Sequence, residues 1–221
     1  MITFWKNKQL RKRLLFAIAI PYTEEQFNYL CQRKDSDFIN SMKSELNCLT
    51  DEELWNAYKE TARMIETTID EMRNLGAIII DRLILSDLSM MKDMDITIIV
   101  AHNNNTSNKI EMFDGLRYHN ELVESLPSDY SGWLDLSCCN SDGLLSLVRM
   151  RFRNPDAHIV GTTINTSLSF RMELYSFIAQ KLCKRPNLSY IDALKSAKNK
   201  KNCLKLNPRL EARMFILVII P

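Results

Sequence analysis

Ile96-Thr97-Ile98-Ile99-Val100-Ala101-His102 is a β-branched, almost wholly apolar run that stops abruptly at a histidine. Branched side chains pack well on a pleated surface and lose rotamer freedom in a helix. A run apolar at nearly every position suits a strand covered on both faces, as in a parallel sheet. Upstream, Leu14 to Ile20 repeats the pattern and is closed by Pro21; downstream, Trp133 to Leu136 leads into Ser137, Cys138 and Cys139. Ala157 to Thr163 and Met214 to Ile220 supply two further strands, with short apolar pieces at Ala77 to Ile80 and Leu83 to Leu85.

Helical sequence lies between these runs. Glu24 to Asn47 carries spaced apolar residues such as Phe27, Leu30, Phe38, Ile39 and Met42. Thr50 with Glu53 predicts a capping box, followed by a long helix whose stripe is Leu54, Tyr58, Ile65, Ile69 and Met72, and Asn74 to Gly76 supplies its stop. After His102 the residues Asn103 to Asn108 read as a loop, and Ile110 to Tyr118 as a hairpin turning on Asp114-Gly115. Glu121 to Leu126, Leu144 to Phe152, Ser167 to Leu182 (with Phe170, Leu174, Phe177 and Ile178 as its stripe) and the segment capped by Ser189 through Ala197 read as helices. The basic stretch Lys198 to Lys205 reads as a solvated connection. Strands alternating with helices predict an α/β fold: three layers, with helices on both faces of a mainly parallel central sheet.

Composition narrows the function. With 221 residues and 46% hydrophobic content, the chain can bury a core in a single domain without metals or disulfides. A net charge of +2 lacks the footprint of a dedicated nucleic-acid binder. Six cysteines without the dense, regular spacing of secreted scaffolds suggest reduced thiols in a cytoplasmic protein. The basic residues Lys6 to Arg13 before Leu14 imitate a signal peptide, but Ala17 and Ala19 fall inside the apolar run rather than after it, so a buried strand is the better reading. No run approaches the ~20 residues needed to span a bilayer. P-loop, dinucleotide, Gly-x-Ser-x-Gly and His-Glu-x-x-His motifs are missing, and adjacent cysteines do not reproduce zinc spacing, so no cofactor or metal is expected.

Chemistry points to two strand ends. Ligands of open α/β sheets bind at the carboxyl ends of strands, where His102 and Cys139 both stand. The interval between them accommodates a hairpin and one crossover helix, which allows adjacent parallel strands. An imidazole can help form the attacking thiolate and then protonate a leaving amine, while backbone N–H groups at Asn103 and Cys139 would hold an oxyanion. His119 and His158 are expected to be structural. No acidic third member is assignable, and Asp135 and Asp142 near the nucleophile read as exposed or capping acids.

Ala101-His102-Asn103 and Leu136-Ser137-Cys138-Cys139-Asn140-Ser141 resemble the two motif blocks of caspase-like cysteine peptidases, clan CD, and among these the CHAT domains are the most similar. The usual pattern is an apolar block with His-Gly and a Leu-Ser-Ala-Cys block followed by Ser or Thr, a register that selects Cys139 over Cys138. Ile159 to Thr163, the helix around Phe170 to Phe177, and Ser189 to Ala197 also resemble the family's later elements, so the resemblance covers about residues 96–197. It implies a caspase-like fold, a His102-Cys139 dyad, a protein or peptide substrate, and control by a partner protein, with many relatives acting in prokaryotic defence or cell death. Two positions depart from the pattern. Asn103 stands where Gly is usual, though Asn tolerates left-handed backbone well, and Cys138 replaces the common Ala. The alternative implied by the first departure is an inactive caspase-like interaction module.

Overall fold

In the computed structural model, which describes residues 9–104, 106–139, 141–162, 167–198 and 217–220, the apolar runs form one sheet. Its order is β2 (Ile78–Ile80), β1 (Leu14–Ile18), β3 (Ile96–Val100), β7 (Trp133–Ser137), β8 (His158–Thr162) and β9 (Leu217–Ile220). The first five strands are parallel, and β9 runs antiparallel to β8. The expected strand residues 163 and 214–216, and the stretch 199–205, lie outside the described residues.

Side-chain alternation along each strand divides the core in two. Leu14, Phe16, Ile18, Ile96, Ile98, Val100 and Val160 face a layer built by α1 (Glu24–Gln32), α2 (Asp37–Leu46), α3 (Asp51–Asn74), α6 (Leu168–Lys184) and α7 (Tyr190–Lys198). Leu15, Ala17, Ile99, Leu134, Leu136, Cys138 and Ile159 face α4 (His119–Ser125), α5 (Asp142–Arg151) and a 3₁₀ segment at Leu85–Asp93. The fold is therefore α/β with helices on both faces of a mainly parallel sheet. No helix among the described residues is long and apolar enough to cross a membrane.

The region expected to be helical over Glu24 to Asn47 divides into α1 and α2. Arg33, extended at φ −82° and ψ 117°, ends the first helix. Ser36 begins the second by accepting from the Ile39 N–H. The break is held from outside: Arg33 Nη1 donates to the carbonyls of Met112 and Phe113, at 3.3 and 2.8 Å. Helix α3 has the expected capping box at Thr50 and Glu53 and its buried stripe includes Leu54, Tyr58, Ile65, Ile69 and Met72. Gly76, at φ +93°, takes the left-handed turn that lets the chain leave the helix end for β2.

Two local readings are corrected by long-range pairing. His102–Asn104 forms a strand, β4, rather than opening a loop, because it pairs antiparallel with β5 (Lys109–Met112), which pairs in turn with β6 (Gly115–Tyr118). Met112 lies opposite Gly115, so the two-residue turn is Phe113-Asp114, one position earlier than the Asp114-Gly115 signal suggests. Gly115 is instead the first residue of β6, at φ +153°, where a side chain would be strained.

Candidate active site

Strands β3 and β7 are paired in parallel with Val100 opposite Ser137. His102 and Cys139 each stand two residues beyond that pair, so both leave the sheet at its carboxyl edge. They line one cleft of about 650 Å³, walled by Met42 and Leu46 of α2, Thr61 of α3 and Leu168 of α6. Both are partly exposed. The neighbouring Cys138 points the other way, into the core beneath α5, and burial pushes its thiol up to about 12. Alternation thus presents Cys139 and hides Cys138.

The imidazole of His102 is held edge-on by Phe38, with ring centroids 6.0 Å apart and planes at 69°. Glu111 is its direct partner across the β4–β5 pair. The Glu111 carboxylate is buried, accepts from Ser36 Oγ and the Phe38 N–H at 2.7 Å each, and lies 3.5 Å from Arg33 Nη2. Burial raises its pKa, opposed by these two hydrogen bonds and by the nearby charges of Arg33 and His102. Glu111 is thus the acid placed opposite the histidine, in a strand register that sequence spacing does not reveal.

Asn103 is buried in β4 and does not adopt positive φ. Its side chain performs a different task from the glycine of the resembled motif. Nδ2 donates to the Cys139 carbonyl at 2.9 Å, and Oδ1 lies 2.7 Å from His119 Nε2. His119, buried and with its pKa lowered chiefly by desolvation, fixes this amide and so has a structural role. His158 begins β8 and stacks on Trp133 at 4.3 Å. Asn140 and the side chain of Asp142 lie outside the described residues.

Asp135 is corrected from an exposed or capping acid to a buried one, 5% exposed. It shares the Cys139 side of β7, since residues 135, 137 and 139 alternate with the core residues Leu134, Leu136 and Cys138. Tyr175 of α6 and Tyr190 of α7 donate to its two carboxylate oxygens at 3.1 and 2.6 Å. Burial pushes its carboxyl up to about 6, against the pull of both tyrosines and Arg171.

Arg171 is the residue that sequence reasoning missed. It lies in the first turns of α6, only 5% exposed, and its guanidinium donates to Ser137 Oγ at 2.9 Å and to Cys139 Sγ at 3.6 Å. Apolar letters alone predict an α6 stripe of Phe170, Leu174, Phe177 and Ile178. Of these Phe170 and Ile178 are buried and Leu174 and Phe177 only partly so, and the buried face also takes in Arg171, Tyr175 and Leu182. The available signal is the polar side of β7 and its continuation, Asp135, Ser137 and then Cys139, which demands polar partners when covered by a helix. Among the described residues no three His, Cys, Asp or Glu side chains converge as a metal site.

No family model matches the chain, and no curated protein matches it.

Proposed function

We propose that the chain is a caspase-like cysteine endopeptidase of the CHAT type, with Cys139 as nucleophile and His102 as acid–base. The observation that carries the reading is the shared cleft: two reactive side chains, each two residues past the paired Val100 and Ser137, open onto the same space. In this reading His102 takes the Cys139 thiol proton, the sulfur attacks the scissile carbonyl carbon, the carbonyl π electrons move to oxygen, and backbone N–H groups at Asn103 and Cys139 are assigned to that oxyanion. The tetrahedral intermediate collapses, the C–N bond breaks, and imidazolium delivers its proton to the departing amine. Water then adds to the thioester with His102 as base, releasing the acid and restoring the thiol.

Between Cys139 and β8 the chain holds α5 and a short turn, with no long insertion to cut. Control by a partner protein, as the CHAT resemblance implies, therefore fits better than activation by cleavage, and a role in prokaryotic defence or cell death follows from the same resemblance. A peptide probe bearing a thiol-reactive group tests the proposal on wild type, His102→Ala, Cys138→Ala and Cys139→Ala, with and without a candidate partner. Labelling lost in Cys139→Ala, reduced at least tenfold in His102→Ala and retained in Cys138→Ala is the expected outcome. Labelling indifferent to both His102 and Cys139 would instead favour the inactive interaction module.

A further inference from the structure

The cleft side of β7 and the buried side of α6 match residue for residue. On the strand, Asp135 and Ser137 occupy alternate positions on one face, and Cys139 follows two residues past the strand's end. On the helix, Arg171 and Tyr175 are one turn apart on one face. Their contacts form a continuous column from the buried Asp135 to the partly exposed Cys139. Tyr190 and Tyr175 hold the Asp135 carboxylate, Arg171 Nη1 reaches Ser137 Oγ, and Arg171 Nη2 reaches the Cys139 sulfur.

We infer that Arg171 is the positioning residue of the nucleophile: it fixes the Cys139 sulfur in the cleft and offsets the negative charge that sulfur carries when it attacks. The inference rests on the proposed role of Cys139. A cation this deeply buried is costly without a counter-charge, and the column supplies one in Asp135, whose carboxyl is drawn toward ionisation by the Arg171 charge. The guanidinium suits the place because its planar fork gives the hydroxyl and the sulfur separate N–H groups in fixed geometry, Nη1 to Ser137 and Nη2 to Cys139. A hydrogen bond from a charged donor is the strong kind. Location matters equally: Arg171 lies near the N-terminus of α6, the end of a helix that disfavours cations, so helix electrostatics do not account for it there.

The test measures alkylation of the full-length chain by iodoacetamide at pH 7, with peptide mapping to read Cys139 separately from Cys138. Arg171→Met should slow Cys139 alkylation by roughly tenfold, as loss of a charge-assisted hydrogen bond predicts. Arg171→Lys should recover part of the rate, which a purely space-filling role would not. If Arg171→Met fails to fold, Arg171→Met/Asp135→Asn, which removes both buried charges, replaces it with the same expected loss. A folded Met variant or double variant that alkylates Cys139 at the wild-type rate overturns the inference. His102→Ala in the same assay separates the two ideas: a slow Arg171→Met beside a wild-type His102→Ala upholds the arginine's role while removing the proposed dyad.

Discussion

Asn103 has the most informative single environment after the cysteine itself. A glycine at this position would satisfy the resembled motif, yet here the amide links the Cys139 carbonyl to a buried histidine. Asn103→Gly leaves the His119 ring nitrogen without this partner in a buried site and adds backbone freedom. We expect the substitution to destabilise the protein by about 1–3 kcal/mol, read from urea unfolding, because an unsatisfied buried polar group costs that much. Stability equal to wild type would mean that water replaces the amide. The sequence did identify this residue as a departure from the motif. It could not say what the side chain does, because both partners arrive from outside β4: Cys139 follows β7, and His119 opens α4.

At the scale of elements, the site depends on how closely α5 approaches the sheet. Gly161 on β8 lies opposite Leu136 of β7, and a Cβ placed on it would come within 2.4 Å of Ser141 Oγ and 2.7 Å of Leu145 Cδ2. Ser141 and Leu145 are fully buried, so neither can swing into solvent. Gly161→Ala must therefore turn the Ser141 hydroxyl and the Leu145 side chain within a packed core or shift the start of α5. Overpacking of this kind costs about 1–3 kcal/mol, and a melting temperature lower by several degrees would register it; an unchanged melt would show that the helix start yields without cost. Helix existence was readable from periodicity, as the Thr50–Glu53 box and the α3 stripe demonstrate. The division of α1 from α2 was not, since Arg33 ends α1 while anchored to carbonyls of Met112 and Phe113, some eighty residues away in sequence.

Over the whole molecule, the buried Asp135 makes folding stability respond to pH. Its carboxyl is pushed up from the ordinary 3.8 to about 6 by burial. A raised carboxyl favours the folded state while protonated and loses that advantage on ionising, because the unfolded chain releases the proton at lower pH. This group's contribution is therefore fully present below about pH 4 and is lost as pH rises through about 6, by something on the order of 3 kcal/mol. Denaturant unfolding from pH 4 to 7 should show that decline in wild type and its loss in Asp135→Asn; equal slopes in the two proteins would assign the proton to another group. The alternation of apolar runs and amphipathic segments determined by itself that the chain is α/β with a mainly parallel sheet, since those patterns are local and strand burial on two faces leaves no other arrangement for them. The sequence also marked His102 and Cys139 as strand-end residues. Only the tertiary structure decided that Glu111 stands across from His102, that Asn103 ties to Cys139, and that Arg171 reaches its sulfur. Those pairings follow from strand register and from the rotation of α6 on the sheet, which are set by packing between segments far apart in the chain and leave no periodic trace within either one.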